Sequence, residues 1–68
     1  MITVLANGRP VELPDGATLT ALLDAIGVPS KSVAAVEHNG EAVPRSEHAA
    51  RPLADGDRIE LVRAVAGG

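Results

Sequence analysis

The sequence predicts an α+β domain in which one main helix packs on one face of a mixed sheet of four to five strands. Three observations predict it. Apolar and polar residues alternate with a period of two at Ile2–Asn7 and again at Arg58–Leu61, as in half-buried strands. Leu19, Leu22, Leu23 and Ile26 recur at i, i+3, i+4 and i+7, which is one face of a helix. Two Asn-Gly dipeptides, Asn7-Gly8 and Asn39-Gly40, carry the signal of a tight hairpin, because both residue types tolerate positive φ.

The elements follow in order. Ile2, Val4 and Ala6 share one face of the first strand, and Thr3, Leu5 and Asn7 the other. Pro10–Leu13 returns after the Asn7-Gly8 turn. Pro10 donates no backbone hydrogen bond, so this strand belongs at a sheet edge. Pro14-Asp15-Gly16 is a turn, and Thr18 is placed to cap a helix of two to three turns. Gly27 suits the position after the helix end, and Pro29 prevents continuation. Ser32–His38 reads as a third strand and Glu41–Val43 as its short return. Residues 44–52 are polar and irregular, with a helical turn expected near Ser46–Ala50. Asp55-Gly56-Asp57 is a tight turn before the last strand. That strand needs a partner, and an interior slot beside the first strand supplies one. Hairpin, helix, hairpin, loop and strand, in two layers, make a ubiquitin-like β-grasp. The expected core is Leu19, Leu22, Leu23, Ile26, Ile59 and Leu61. Residues 1–63 form the domain, and residues 64–68 a flexible C-terminal tail.

Composition narrows the function. Sixty-eight residues make one domain with a small core, here built without Phe, Tyr, Trp or Cys. Six basic residues against nine acidic ones give a net charge of −3, and the basic residues are spread along the chain. That disfavours nucleic-acid binding, as does the lack of stacking aromatics. No apolar run approaches a membrane span, and Met1 leads straight into a strand-like segment, so a cytoplasmic protein with no membrane association is expected.

Enzyme chemistry finds little footing. Cysteine nucleophiles are absent, Ser30, Ser32 and Ser46 lie in no strained elbow, and no Gly-rich phosphate cradle occurs. His38 and His48 read as surface histidines in and near loops, and Asp55 and Asp57 as turn formers rather than metal ligands. No catalytic residue and no bound metal or cofactor is expected. The terminal Gly67-Gly68 remains. A terminus that threads a narrow channel works best without side chains, and glycine leaves the carboxyl carbon open to attack. An α-carboxyl titrates at about 3.3–3.7, so Gly68 is ionised at neutral pH. It can therefore attack the α-phosphate of ATP to give an electrophilic acyl-adenylate.

Several segments together resemble one family, the ThiS sulfur carriers of thiamin biosynthesis. They are Asn7-Gly8, Gly16-Ala17-Thr18-Leu19 leading to Leu22-Leu23, and Asn39 to Arg45 with its Val43-Pro44-Arg45 ending. Asp55 to Val62 and the terminal Gly67-Gly68 complete the likeness, which covers almost the whole chain. The resemblance implies a carrier, not an enzyme, and three partners. An ATP-dependent, ThiF-like enzyme, using ATP and Mg²⁺, adenylates Gly68. A cysteine desulfurase system supplies sulfur, giving a thiocarboxylate. Thiazole synthase then takes the sulfur. Gly67 provides access for the tail, and the free carrier is expected to be a monomer. Leu5 and Val62, pointing away from the helix and side by side if the first and last strands pair, are the expected docking patch. The alternatives are a sulfur carrier of a molybdopterin, cysteine or siderophore pathway, a ubiquitin-like modifier conjugated through Gly68, or a plain β-grasp binding module whose activity survives loss of Gly67 and Gly68.

Overall fold

A computed structural model describes residues 1–63. Strands β1 (Ile2–Ala6) and β2 (Arg9–Leu13) form a hairpin, followed by helix α1 (Leu19–Ala25), β3 (Val33–His38), β4 (Glu41–Ala42) and β5 (Arg58–Arg63). Short 3₁₀ turns occupy Ser30–Ser32 and Arg45–Glu47. The strands form one sheet in the order β2-β1-β5-β3-β4. β2 is at an edge, as Pro10 requires. β5 takes the central slot, parallel to β1 and antiparallel to β3. The mixed five-stranded sheet with one helix is the expected β-grasp. Among the described residues no helix is long and apolar enough to cross a membrane.

The helix is short and well capped. The hydroxyl of Thr18 accepts a hydrogen bond from the Ala21 amide at 3.4 Å. The two preceding amides are taken by the returning loop, Leu19 donating to the Arg51 carbonyl and Thr20 to that of His48. The first-turn donors that every helix leaves open are thus satisfied partly by a segment about thirty residues away. Gly27, at φ 73°, then turns the chain.

Leu19, Leu22, Leu23, Ile59 and Val4 are the most deeply buried side chains, joined by Leu13, Val33, Val36, Val43 and Leu53. Four of the six expected core residues lie among them. Ile26 and Leu61 pack against the cluster but are only partly buried. The reason is geometric. Seven helical residues span about 10 Å, whereas strands of five or six residues run about 17–20 Å. The helix ends before the sheet does, with Ile26 at its C-cap.

Both expected surface histidines need correction. His48 is 4% exposed. Its Nε2 lies 3.4 Å from the Val43 carbonyl oxygen, and its Nδ1 has no partner among the described residues. His38 closes β3 with its side chain largely buried. His38 faces inward because it is registered with the buried Ile59, and His48 because the loop after β4 folds it under, neither of which local polarity reveals.

Candidate functional site

The expected chemistry is at the C-terminus, and Gly67 and Gly68 lie outside the described residues. The structure describes what delivers them: β5, whose last residue, Arg63, stands five residues before Gly68. Five extended residues reach about 17 Å beyond that point.

β5 is braced along its whole length. At its start the Arg58 amide donates to Oδ1 of Asn39 at 2.8 Å, and the Asn39 amide donates to the Arg58 carbonyl. Asn39 Nδ2 also donates to Oδ1 of Asp57. At its far end the Leu61 amide donates to Oδ1 of Asn7 at 2.7 Å, and Asn7 Nδ2 donates to the Leu61 carbonyl at 3.1 Å. The β1–β5 ladder registers only Leu5↔Arg58 and Ala6↔Ile59, so the Asn7 side chain extends it by one more rung. On the opposite side β3 pairs with β5 as far as Val33↔Arg63. The strand is thereby fixed up to the residue from which the tail departs.

Both asparagines were legible as turn residues, and both do sit at positive φ, 50° and 53°. Their second role was not legible. Side-chain amides that clamp a strand 54 and 19 positions away leave no local signal. The turn Asp55-Gly56-Asp57 is likewise more than a turn. Asp55 Oδ1 accepts from the Thr3 amide at 2.7 Å, tying the loop to β1. Asp57 Oδ2 accepts from the Ala54 amide at 2.8 Å and lies 2.6 Å from His38 Nε2.

A polar chain runs on from Asp57. Arg51 Nε donates to His38 Nδ1 at 3.0 Å, and its Nη2 pairs with Glu41. Nδ1 accepts from the guanidinium, which leaves Nε2 to donate to Asp57. Burial pushes the Asp57 carboxyl upward, but the Ala54 amide, His38 and Asn39 outweigh it and hold it below the usual aspartate range. The hydrogen bond and charge of Arg51 lower the exposed Glu41. These groups fasten the 44–57 loop to the β3–β4 hairpin.

Leu5 and Val62 are not neighbours, which corrects the expected patch. Leu5 is registered with Pro10 on one side and Arg58 on the other. Val62 lies opposite Ala35. In a parallel pair, four residues separate Arg58 from Val62, about 13 Å along the strand. Between them on the same face sit Glu60 and Glu37, directly opposite each other. Both apolar residues do point away from the helix, since each alternates with inward-facing neighbours, and Val62 is 57% exposed.

A mixed five-stranded sheet with one helix and the last strand in its centre places the chain in the ubiquitin-like β-grasp class. Comparison with known proteins narrows this. The ThiS family profile matches residues 4–68. The sulfur carrier protein ThiS of Thermus thermophilus is 45% identical over 65 residues, covering 96% of this chain and 98% of that protein. A thiazole synthase of Paramagnetospirillum magneticum is 40% identical over 65 residues, 96% of this chain, which spans only 20% of that longer protein. The crystal structure of the thiamine biosynthesis protein ThiS from Geobacter metallireducens superposes with a TM-score of 0.79 at 31% identity, covering 98% of this chain and all of the other. A solution structure of a Geobacter metallireducens thiamine biosynthesis protein gives 0.76 at 33% identity, over 98% of this chain and 88% of the other. The chain belongs to the ThiS family.

Proposed function

We propose that this chain is the sulfur carrier of thiazole formation in thiamin biosynthesis, working through the terminal carboxylate of Gly68. Family membership over residues 4–68, which takes in the Gly-Gly end, is the observation that carries this reading. The bracing of β5 up to Arg63 supports it, because a carrier must present its terminus from a fixed root.

The carrier's own part is small. The ionised carboxylate of Gly68 attacks the α-phosphorus of ATP in the site of an adenylating partner, and pyrophosphate leaves. The acyl-adenylate is then open at its carbonyl carbon, since AMP is a good leaving group and the carboxylate alone is not. A persulfide drawn from a cysteine desulfurase system adds there through its terminal sulfur and expels AMP. A second thiol then cleaves the S–S bond of the acyl disulfide, itself ending in a disulfide. The terminus becomes a thiocarboxylate. Gly67 keeps the approach free of side chains. Thiazole synthase is the acceptor. The thiazole synthase relative, which contains a segment like this whole chain, supports that pairing.

The test is reconstitution. With ATP, Mg²⁺, the family's adenylating enzyme and a sulfur source, intact mass spectrometry should show one oxygen of the terminal carboxyl replaced by sulfur. Thiazole synthase should then return the carrier to its original mass. A chain that is never adenylated would contradict the reading.

A further inference from the structure

Helix α1 stops short of the sheet's end, and a cleft of about 410 Å³ opens there. Its floor is apolar: Val11, Ile26, Val28 and Leu61 line it, and all four are only partly buried. Arg9 and Arg63 also line it. The register explains why the two arginines share this cleft. Arg9 lies opposite the buried Ala6, and Arg63 follows Ile59 and Leu61 at intervals of two, so both project on the helix side of the sheet. Both are exposed. Among the described residues no acidic one lines the cleft, in a chain whose net charge is −3. Arg63 is also the last described residue before the tail, so whatever fills the cleft touches the root of the segment that carries Gly68.

We propose that this cleft receives a segment of the tail-processing enzyme in which an apolar side chain is flanked by carboxylates. The apolar group would cover Ile26, Val28 and Leu61, which the short helix leaves half open, and the carboxylates would pair with Arg9 and Arg63. Arginine suits such a rim, because its planar fork binds a carboxylate through two hydrogen bonds. Occupancy would hold Arg63 and so set the direction in which the tail leaves β5. The choice of occupant rests on the carrier function proposed above; the chemistry of the cleft does not.

The test separates the two. A blocked pentapeptide with a central leucine and two aspartates on each side is titrated into the ¹⁵N-labelled protein. The same peptide with lysines for aspartates serves as the comparison. The aspartate peptide should shift the amides of Val11, Ile26, Val28 and Leu61, and the lysine peptide should not. In the double variant R9E/R63E the selectivity should reverse. Equal response to both peptides, or shifts lying elsewhere, would overturn the cleft. Affinity for the adenylating enzyme should fall about tenfold in R9E/R63E, whereas Lys31→Glu, on the exposed 3₁₀ turn, should bind as wild type. Unchanged affinity in R9E/R63E would overturn the occupant. Failure of the wild type to be adenylated, with peptide selectivity intact, would instead remove the carrier reading and leave the cleft standing.

Discussion

The two ends of β5 are held by the same device and serve different purposes. At the start, Asn39 grips Arg58 and Asp57 from one Asn-Gly turn. At the finish, Asn7 grips Leu61 from the other. The start is embedded in a polar chain through Asp57, His38, Arg51 and Glu41 that fixes a loop. The finish borders an apolar cleft and leads to the tail. The start therefore bears on stability and its pH dependence, and the finish on the root of the carrier tail proposed above.

Loss of the common support should affect both ends at once. Leu22 is fully buried under the sheet, and Leu22→Ala should cost about 2–5 kcal/mol, measured by chemical denaturation. In a domain this small that is a severe loss. A cost near zero would show that α1 does not hold the sheet.

The clamps should separate the ends. Asn7→Gly and Asn39→Gly both keep the positive φ and remove only the side-chain bonds, so each should cost about 1–2 kcal/mol. Hydrogen exchange should report the difference in place. Leu61 should exchange faster in the first variant and Arg58 in the second. The same pattern from both would erase the distinction.

The pH dependence belongs to the start alone. Asp57 is held below its ordinary 3.8 in the fold, so its contribution is present above that value and is lost as pH falls through the lower folded one. Asp57→Asn should be less stable than wild type at neutral pH, with the gap closing below about pH 4. A constant gap down to pH 2 would contradict the assigned bonds.

The outer face should matter least to stability. Val62→Asp replaces an exposed residue and should change stability by only a few tenths of a kcal/mol. If Val62 serves docking, affinity for the adenylating enzyme or thiazole synthase falls. Unchanged affinity for both would remove it from the interface.

How much of this the sequence disclosed follows the range of each interaction. The helix face, both Asn-Gly turns, the edge position of Pro10 and the central place of β5 rest on local pattern and simple pairing rules, and the structure agrees with them. The inward histidines, the Asn7 clamp and the wrong pairing of Leu5 with Val62 depend on register between distant segments. A parallel pair starting at Leu5↔Arg58 puts Val62 past the end of β1, and no local signal fixes that starting point. The cleft arises from the mismatch in length between helix and sheet, which needs both in place. The chemistry read into Gly67-Gly68 rests on residue type and family resemblance, and both residues lie outside the described ones.

The central claim is that Gly68 is the reacting group while the fold only presents it. Intact mass after incubation with the adenylating enzyme, ATP, Mg²⁺ and a sulfur source tests this directly on three proteins. Deletion of Gly68 should abolish sulfur loading. Gly67→Val, which keeps the carboxylate but adds a β-branched side chain beside it, should load slowly. His38→Ala should load as wild type does once folded. A truncated chain that still gains sulfur, or a folded His38→Ala variant that alone fails to, would contradict the account.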